Sequence, residues 1–302
     1  MITIRGSELT LNDYVQVAIA GETVEISPSC FALINKSARA VESIVQSEDT
    51  VYGINTGFGA LATVKISPEK TKELQKNIIL SHAAGVGEPA PKEVVRGLML
   101  FRANSLSKGF SGIRLQTVQQ LIDLLNAQIT PVVPQQGSVG ASGDLAPLAH
   151  VAMAMLGEGE VWYRGERVPA LFALKETGIA PLEPIQKEGL ALLNGTQYIA
   201  SLLSYGLYKA FRLFDWSLVA ASASVDSLKG STDPFDPRIH EVRNHPGQGI
   251  VAKKIRGYLK DSEIRKSHEH CSKVQDAYSL RAIPQVLGAV YDTLLYAKSV
   301  LE

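Results

Sequence analysis

The stretch QKEGLALLNGTQYIASLLSYGLYKAFRLFDWSLVAASASVDSL, Gln186 to Leu228, decides the fold. Apolar residues recur on most of its helical faces, and charge after Glu188 enters only midway, with Lys209, Arg212 and Asp215. A helix apolar nearly all round is buried among other helices. The segment Leu190 to Tyr208 lacks charge over a membrane-like length. It includes Asn194, Thr196, Gln197, Ser201 and Ser204, which are costly in lipid, so a buried helix of a large bundle is expected rather than a membrane span.

Working outward, further helices are expected. Ser27-Pro28 is a helix start, with Phe31, Ile34, Ala38, Val41 and Val45 following at helical spacing. Ser67-Pro68 repeats that start before a helix reaching about Leu80. Others are expected at Pro91–Ser105, Gly112–Ala127 and Pro147–Leu156, and again from Ile250 and from Tyr278 to the end. In the last of these, Val286, Val290, Leu294 and Ala297 form one apolar stripe. The first twenty residues have the pattern of short strands, Ile2 and Ile4 alternating with polar neighbours. Trp162 and Tyr163 beside Gly165 suggest a hairpin or turn. Ser231–Gly249 has the composition of a loop with a short helix. The expectation is a mainly α protein, a long-helix bundle with a small N-terminal α/β region. Two domains are expected, 1–185 with a glycine-rich loop and 186–302 as the first part of a central helical bundle.

Composition narrows the function. The 302 residues are 45% hydrophobic and 20% charged, enough to bury a large core and too few charges for disorder. Lys plus Arg is 30 and Asp plus Glu is 30, whereas a nucleic-acid or membrane-surface protein needs a basic excess. Two cysteines, Cys30 and Cys271, fit a reduced compartment. Residues 1–20 carry polar groups throughout, so no secretory core is evident. A cytoplasmic protein binding neither nucleic acid nor membrane is expected.

Two glycine-rich loops stand out, Gly53–Gly59 and Gly137–Gly143. The second, Gly137-Ser138-Val139-Gly140-Ala141-Ser142-Gly143-Asp144, lacks the Lys and Ser/Thr of a phosphate cradle. A flexible surface loop is the plain alternative. Against it, Val132-Val133-Pro134 and Leu145-Ala146-Pro147-Leu148-Ala149 flank the loop with apolar residues, which argues for burial and a use for its backbone groups. Chemistry offers one. The Gly143 amide nitrogen can attack the Ala141 carbonyl, unobstructed by a Cβ, and Ser142 can lose its hydroxyl. Two waters leave, and the product is an electrophilic 4-methylidene-imidazole-5-one ring. Holding three residues bent that hard requires surroundings that over-determine the strain.

Gly140-Ala141-Ser142-Gly143-Asp144-Leu145-Ala146-Pro147-Leu148-Ala149-His150 resembles the signature of the aromatic amino acid ammonia-lyase family. Tyr52-Gly53-Ile54-Asn55-Thr56-Gly57-Phe58-Gly59 resembles its tyrosine loop and Leu193-Asn194-Gly195-Thr196 its asparagine motif. Lys273-Val274-Gln275-Asp276-Ala277-Tyr278-Ser279-Leu280-Arg281 resembles a fourth motif, with Ala277 where proline is usual. Ala282 and Leu287 also depart from common Cys and His. Ser81-His82-Ala83 looks like the version found in members acting on histidine.

The resemblance implies the fumarase/aspartase-like helical architecture and elimination of ammonia from an amino acid. It implies Tyr52 as the base taking the β-proton, on a loop able to close as a lid, with the ring formed from Ala141, Ser142 and Gly143 as sole cofactor and no metal. A phenol needs hydrogen-bond donors around it to serve as phenolate. Arg281 would clamp the substrate carboxylate in bidentate fashion. Asn194, Gln275 and Tyr278 would supply polar contacts, and His82 would meet an imidazole ring. A later glutamate and phenylalanine used by members have no counterpart here. A partner chain carrying the C-terminal half, in a tetramer-like assembly, is therefore expected to complete the site. Rival readings are a tyrosine or phenylalanine lyase or aminomutase, or a scaffold subunit without turnover. His268-Glu269-His270-Cys271 makes a poor metal set, since residues two apart do not share a helix face.

Overall fold

The computed structural model describes residues 1–47, 49–56, 68–139 and 143–302. They form two compact units, Met1–Tyr205 and Gly206–Glu302.

In the first unit, β1 (Ile2–Ile4) runs parallel to β2 (Val24–Ile26), with Ile2 beside Val24 and Ile4 beside Ile26. The strand pattern expected over the first twenty residues ends there. A helix, α1 (Leu11–Tyr14), follows and passes into a π-helical turn at Val15–Ile19. The reason is a capping box: Asp13 N donates to Thr10 Oγ1 at 3.2 Å, and Thr10 N donates to the Asp13 carboxylate at 2.9 Å. Next comes α2 (Pro28–Gln46), begun by Pro28 and burying Cys30, Ile34, Ala38 and Val41 as the spacing predicts. It is followed by α3 (Pro68–His82), β3 (Val86–Pro89), α4 (Lys92–Ser107) and α5 (Leu115–Asn126).

The core closes on α4. Val94, Leu98, Met99, Leu100, Ala103 and Leu106 are all fully buried. Truncating one of them, such as Leu98→Ala, carries an expected cost of about 2–5 kcal/mol. Two arginines share this helix. Arg96 donates to the Leu125 and Val17 carbonyls at 3.2 and 2.8 Å, completing backbone groups of two neighbours. Beyond α5 lie β4 (Thr130–Pro131), β5 (Pro134–Gln136) and α6 (Leu145–Met155). The expected hairpin follows, β6 (Glu160–Tyr163) with β7 (Glu166–Pro169), turned by Arg164 and Gly165 at φ 50° and 88°. Then come α7 (Ala170–Thr177), α8 (Glu188–Leu193) and the start of α9 (Gln197–Ser227).

The region Gln186–Leu228 is therefore not one helix. It breaks at residues 194–196, the place of the asparagine motif. Buried positions of α9 fall at helical spacing: Tyr198, Ser201, Ser204 and Leu207, then Phe214, Leu218, Ser222 and Val225. Its outer side keeps Ile199, Leu202, Leu203, Leu213, Trp216 and Val219 exposed.

The second unit adds a 3-10 turn at Asp233–Phe235, α10 (Pro237–Glu241), α11 (Pro246–Leu259), α12 (Glu263–Lys266), α13 (Tyr278–Arg281) and α14 (Ile283–Leu301). Phe214, Leu218, Phe235, Val251 and Ile255 form its core, with Tyr291 stacked on Phe214 at 5.0 Å between ring centroids. Here the stripe expected on α14 is offset. Ile283, Leu287, Tyr291 and Leu294 face the core, while Val286 and Val290 stand exposed. Helix crossing decides this rotation. Gly288 lies against Gly247 and Gln248 at the start of α11, too close for any side chain, and Gly247 N donates to Asp292 at 2.9 Å.

Candidate active site

The glycine-rich loop is closed at its base. Ser138 Oγ donates to Asp144 Oδ1 at 2.6 Å, and Val139 forms an antiparallel bridge with Gly143. Gly140, Ala141 and Ser142 lie outside the described residues. Gly143 has φ +91°, and a Cβ there would overlap the Gly195 carbonyl oxygen. Only glycine fits at that position. The described flank thus suits a ring made from the tripeptide, since a side chain at the third residue is barred by both backbone and neighbour.

Asp144 connects this loop to the helix break. Its carboxylate is wholly buried and accepts from Tyr198 N at 2.8 Å and Ile199 N at 3.0 Å, the first turn of α9. An anion at a helix N-terminus meets unpaired N–H groups and the positive end of the dipole. Asp144 N also donates to the Gly195 carbonyl at 2.6 Å. Burial, and then the nearby Asp144 charge, push the Tyr198 hydroxyl above its ordinary range.

On the other side of the break, α8 ends with Asn194 N donating to Leu190 O at 3.0 Å. Arg102, buried on α4, donates through Nη2 to the Ala191 carbonyl and through Nη1 to Gln197 Oε1 at 3.1 Å. Cation at a helix end, anion at a helix start: both suit the dipoles. At its N-terminus α8 is anchored by Glu188, whose buried carboxylate accepts from Arg114 Nη2 and Thr117 Oγ1, each at 2.6 Å. Between these supports Asn194 is exposed on its turn.

His82 ends α3. Its Nδ1 lies 2.8 Å from the Ile78 carbonyl and 3.2 Å from Ser81 Oγ. Among the described residues none bonds Nε2. The turn beyond His82 is tied back: Gly85 N donates to His150 Nε2 at 3.2 Å, and burial holds the His150 imidazole below its ordinary pKa. Gly85 also packs on Gly137 at the foot of the glycine-rich loop.

Tyr52 is exposed at the head of a knitted turn. Asn55 binds both ends, accepting from Val51 N and donating to Asp49 O, each at 2.8 Å. Gly53 N donates to Thr56 Oγ1 at 3.2 Å. The remainder of that loop, Gly57–Gly59, where lid motion is expected, lies outside the described residues.

Gln275, Tyr278 and Arg281 belong to the second unit. Gln275 and Tyr278 are exposed. Arg281 donates from Nε to Asp276 O at 3.0 Å and lies over the Tyr278 ring at 5.4 Å. That uses one edge of the guanidinium and leaves the pair Nη1/Nη2 for a carboxylate. Asp276 itself is buried and accepts from Ser231 N at 2.6 Å and Lys273 Nζ at 3.2 Å.

The structure therefore brings together Gly143, the Asn194 turn and, through Gly85, the segment after His82. Asp144, Arg102, Gly195 and His150 were not anticipated as supports. Two of these carried a signal: a buried carboxylate directly after the tripeptide, and an arginine within an apolar helix.

The described residues form a helical scaffold that holds the flank of a glycine-rich loop against the start of a long helix, the fold of the aromatic amino acid lyases. The chain belongs to the aromatic amino acid lyase family, whose model matches residues 9–302. It is similar to a histidine ammonia-lyase of Myxococcus xanthus, 48% identical over all of this chain and 59% of that relative. Among solved structures, a phenylalanine aminomutase of Pantoea agglomerans is 34% identical with a TM-score of 0.90, covering 100% of this chain and 61% of its own. A histidine ammonia-lyase of Trypanosoma cruzi is 38% identical with a TM-score of 0.87, covering 99% and 56%. The chain spans about 59% of the length of the curated relatives it matches. Among the described residues, no helix is long and apolar enough to cross a membrane.

Proposed function

We propose that this chain is the N-terminal part of a histidine ammonia-lyase, converting L-histidine to urocanate and ammonia. The observation that carries this reading is the orientation of His82, whose Nδ1 is turned to the Ile78 carbonyl, set beside the 48% identity to enzymes of that name. With Nδ1 turned to Ile78 O, His82 leaves Nε2 to accept from an imidazole N–H. A phenyl ring has no such donor, so a phenylalanine would leave that lone pair unmet, at a cost of about 1–3 kcal/mol.

The 4-methylidene-imidazole-5-one ring, when formed from Ala141-Ser142-Gly143, supplies an electrophile that turns the amino group into a leaving group. The rest falls to side chains. Arg281 holds the carboxylate, which fixes the plane of Cα. Asn194 bonds the substrate or the ring from its turn. Tyr52 removes the β-proton, the electron pair forms the double bond, and ammonia departs. Gln275 and Tyr278 line the polar side. No metal or external cofactor takes part. The Gln275–Arg281 segment and the remaining family residues come from different chains of an assembly, a tetramer-like one that includes a C-terminal partner. A cytoplasmic setting suits Cys30 and Cys271, both free thiols.

Ser142→Ala is the test. The variant folds, does not lose two waters by mass, lacks the ring's ultraviolet band, and loses nearly all histidine turnover in the complete assembly. Near-native activity of that variant would end the proposal. The tyrosine or phenylalanine lyase or aminomutase reading, for which the Pantoea agglomerans structure speaks, is separated by assaying the three amino acids side by side; equal rates on histidine and phenylalanine would favour it.

A further inference from the structure

We propose that Arg102 is a positioning residue of the site, holding the Asn194 turn in place from beneath. This rests on the reading of Asn194 as a residue facing substrate or ring.

Four observations meet here. The guanidinium is nearly fully buried, 4% exposed, in the middle of α4. Nη2 donates to Ala191 O in the last turn of α8, and Nη1 donates to Gln197 Oε1 at the first residue of α9. Arg102 therefore grips both helices that flank Asn194. Gly195, the residue after it, lies directly on this fork: a Cβ there would overlap both Arg102 Nη1 and Gln197 Oε1. Finally, among the described residues no acidic side chain pairs with Arg102 and none meets its buried Nε–H.

That last pair of facts separates placement from support. A buried cation without a counter-ion, carrying an unmade hydrogen bond, stabilises a core poorly, and an apolar side chain of similar length usually does as well or better. Arg96 makes the contrast on the same helix: it serves carbonyls of α5 and the π-helical turn, remote from any site residue. Burial lowers the Arg102 pKa to about 10, which leaves it charged at neutral pH. The charge is compensated by the carbonyl end of α8. A planar fork is required, because its two acceptors sit on different helices; lysine reaches only one.

The turn is thus clamped from two sides. Asp144 holds the start of α9 and the Gly195 carbonyl, and Arg102 holds the end of α8 and Gln197. Loss of Arg102 frees Asn194 while leaving the loop of Gly143 attached through Asp144.

Hydrogen exchange followed by mass spectrometry on the whole chain tests this without requiring turnover. In Arg102→Met, peptides covering residues 190–199 should exchange at least about ten-fold faster, those within α4 and α5 should stay unchanged, and the melting temperature should move little. Arg102→Lys should fall between. Unchanged exchange over 190–199 in Arg102→Met would overturn the proposal, as would loosening spread evenly over α4 and α5. If Arg102→Met does not fold, Arg102→Lys takes its place, and the same two results would overturn the proposal. A double-mutant cycle with Asn194→Ala, read in the assembly that turns over histidine, tests the site reading separately. The two substitutions should be far from additive in kcat, with KM little changed. A loosened turn with undiminished turnover would keep the clamp and discard the assignment of Asn194.

Discussion

The junction of α8 and α9 and the segment Gln275–Arg281 both carry polar residues that the family resemblance assigns to a site, yet they are built in opposite ways. At the junction every support is buried: Asp144, Arg102 and Glu188 lie at 0–4% exposure, each on backbone or side-chain partners from a different element. In the other segment only Asp276 is buried, and Gln275 and Tyr278 face outward. The difference teaches where stability and chemistry are entangled. Removing Asp144 or Glu188 strands partner groups in a core, so fold and activity fall together, whereas Arg102 positions the turn at little cost to stability. Changing Arg281 alters a surface contact, so activity should fall alone.

Asp144→Ala should break this contrast most severely. It strands the Tyr198 and Ile199 N–H groups and the Ser138 hydroxyl, at about 1–3 kcal/mol for each group left buried and unpaired. Urea titration should show a loss of several kcal/mol, or no folded protein at all; a loss under about 1 kcal/mol would mean water replaces the carboxylate freely. Gly143→Ala comes next. It meets the Gly195 carbonyl and a left-handed backbone, each worth about 1–3 kcal/mol, and mass spectrometry should find the tripeptide uncyclised.

Arg281→Lys sharpens the other side. Loss of the fork should raise KM for histidine about ten- to a hundred-fold in the complete assembly, with the melting temperature unchanged. An equal drop in stability would erase the distinction between the two regions.

A pH series probes the supports more gently. Burial lowers the His150 pKa in the folded chain, so the unfolded chain binds the proton more readily. Stability is then fully present above the ordinary histidine value near 6.5 and declines as pH falls below it. His240 shifts the same way, again chiefly through burial, with Gln248 on Nδ1 and Pro234 O on Nε2. His150→Gln should remove only its share of the decline; an unchanged slope would show that His150 protonation is not linked to folding. The smallest effect is expected at Lys254→Ala, whose exposed pair with Asp215 at 2.9 Å should be worth about 0–1 kcal/mol by chemical denaturation.

Much of this was legible in the residues alone. Helical periodicity located α2, α4, α5 and α6 because each buries one face against a common core, and period survives in sequence. The tripeptide, Tyr52, Asn194 and Arg281 stood out as motifs, since a resemblance of that kind is carried by residue type and order. Three things were not. The helix break at Asn194 lies within an uncharged run, and its supports are distant: Asp144, 54 residues before Tyr198, caps the start of α9, and Arg102 holds the end of α8. The rotation of α14 hides as well: Val286/Val290 and Leu287/Tyr291 are equally apolar stripes, and only the Gly247–Gly288 crossing selects between them. Arg102 had no reading in sequence beyond a charge in a helix. Periodicity and residue chemistry are local properties, so the sequence by itself determined most of the helices and the family motifs. Capping across elements, close helix approach and the partner of a buried charge depend on which distant segments meet, and only the tertiary structure decided those.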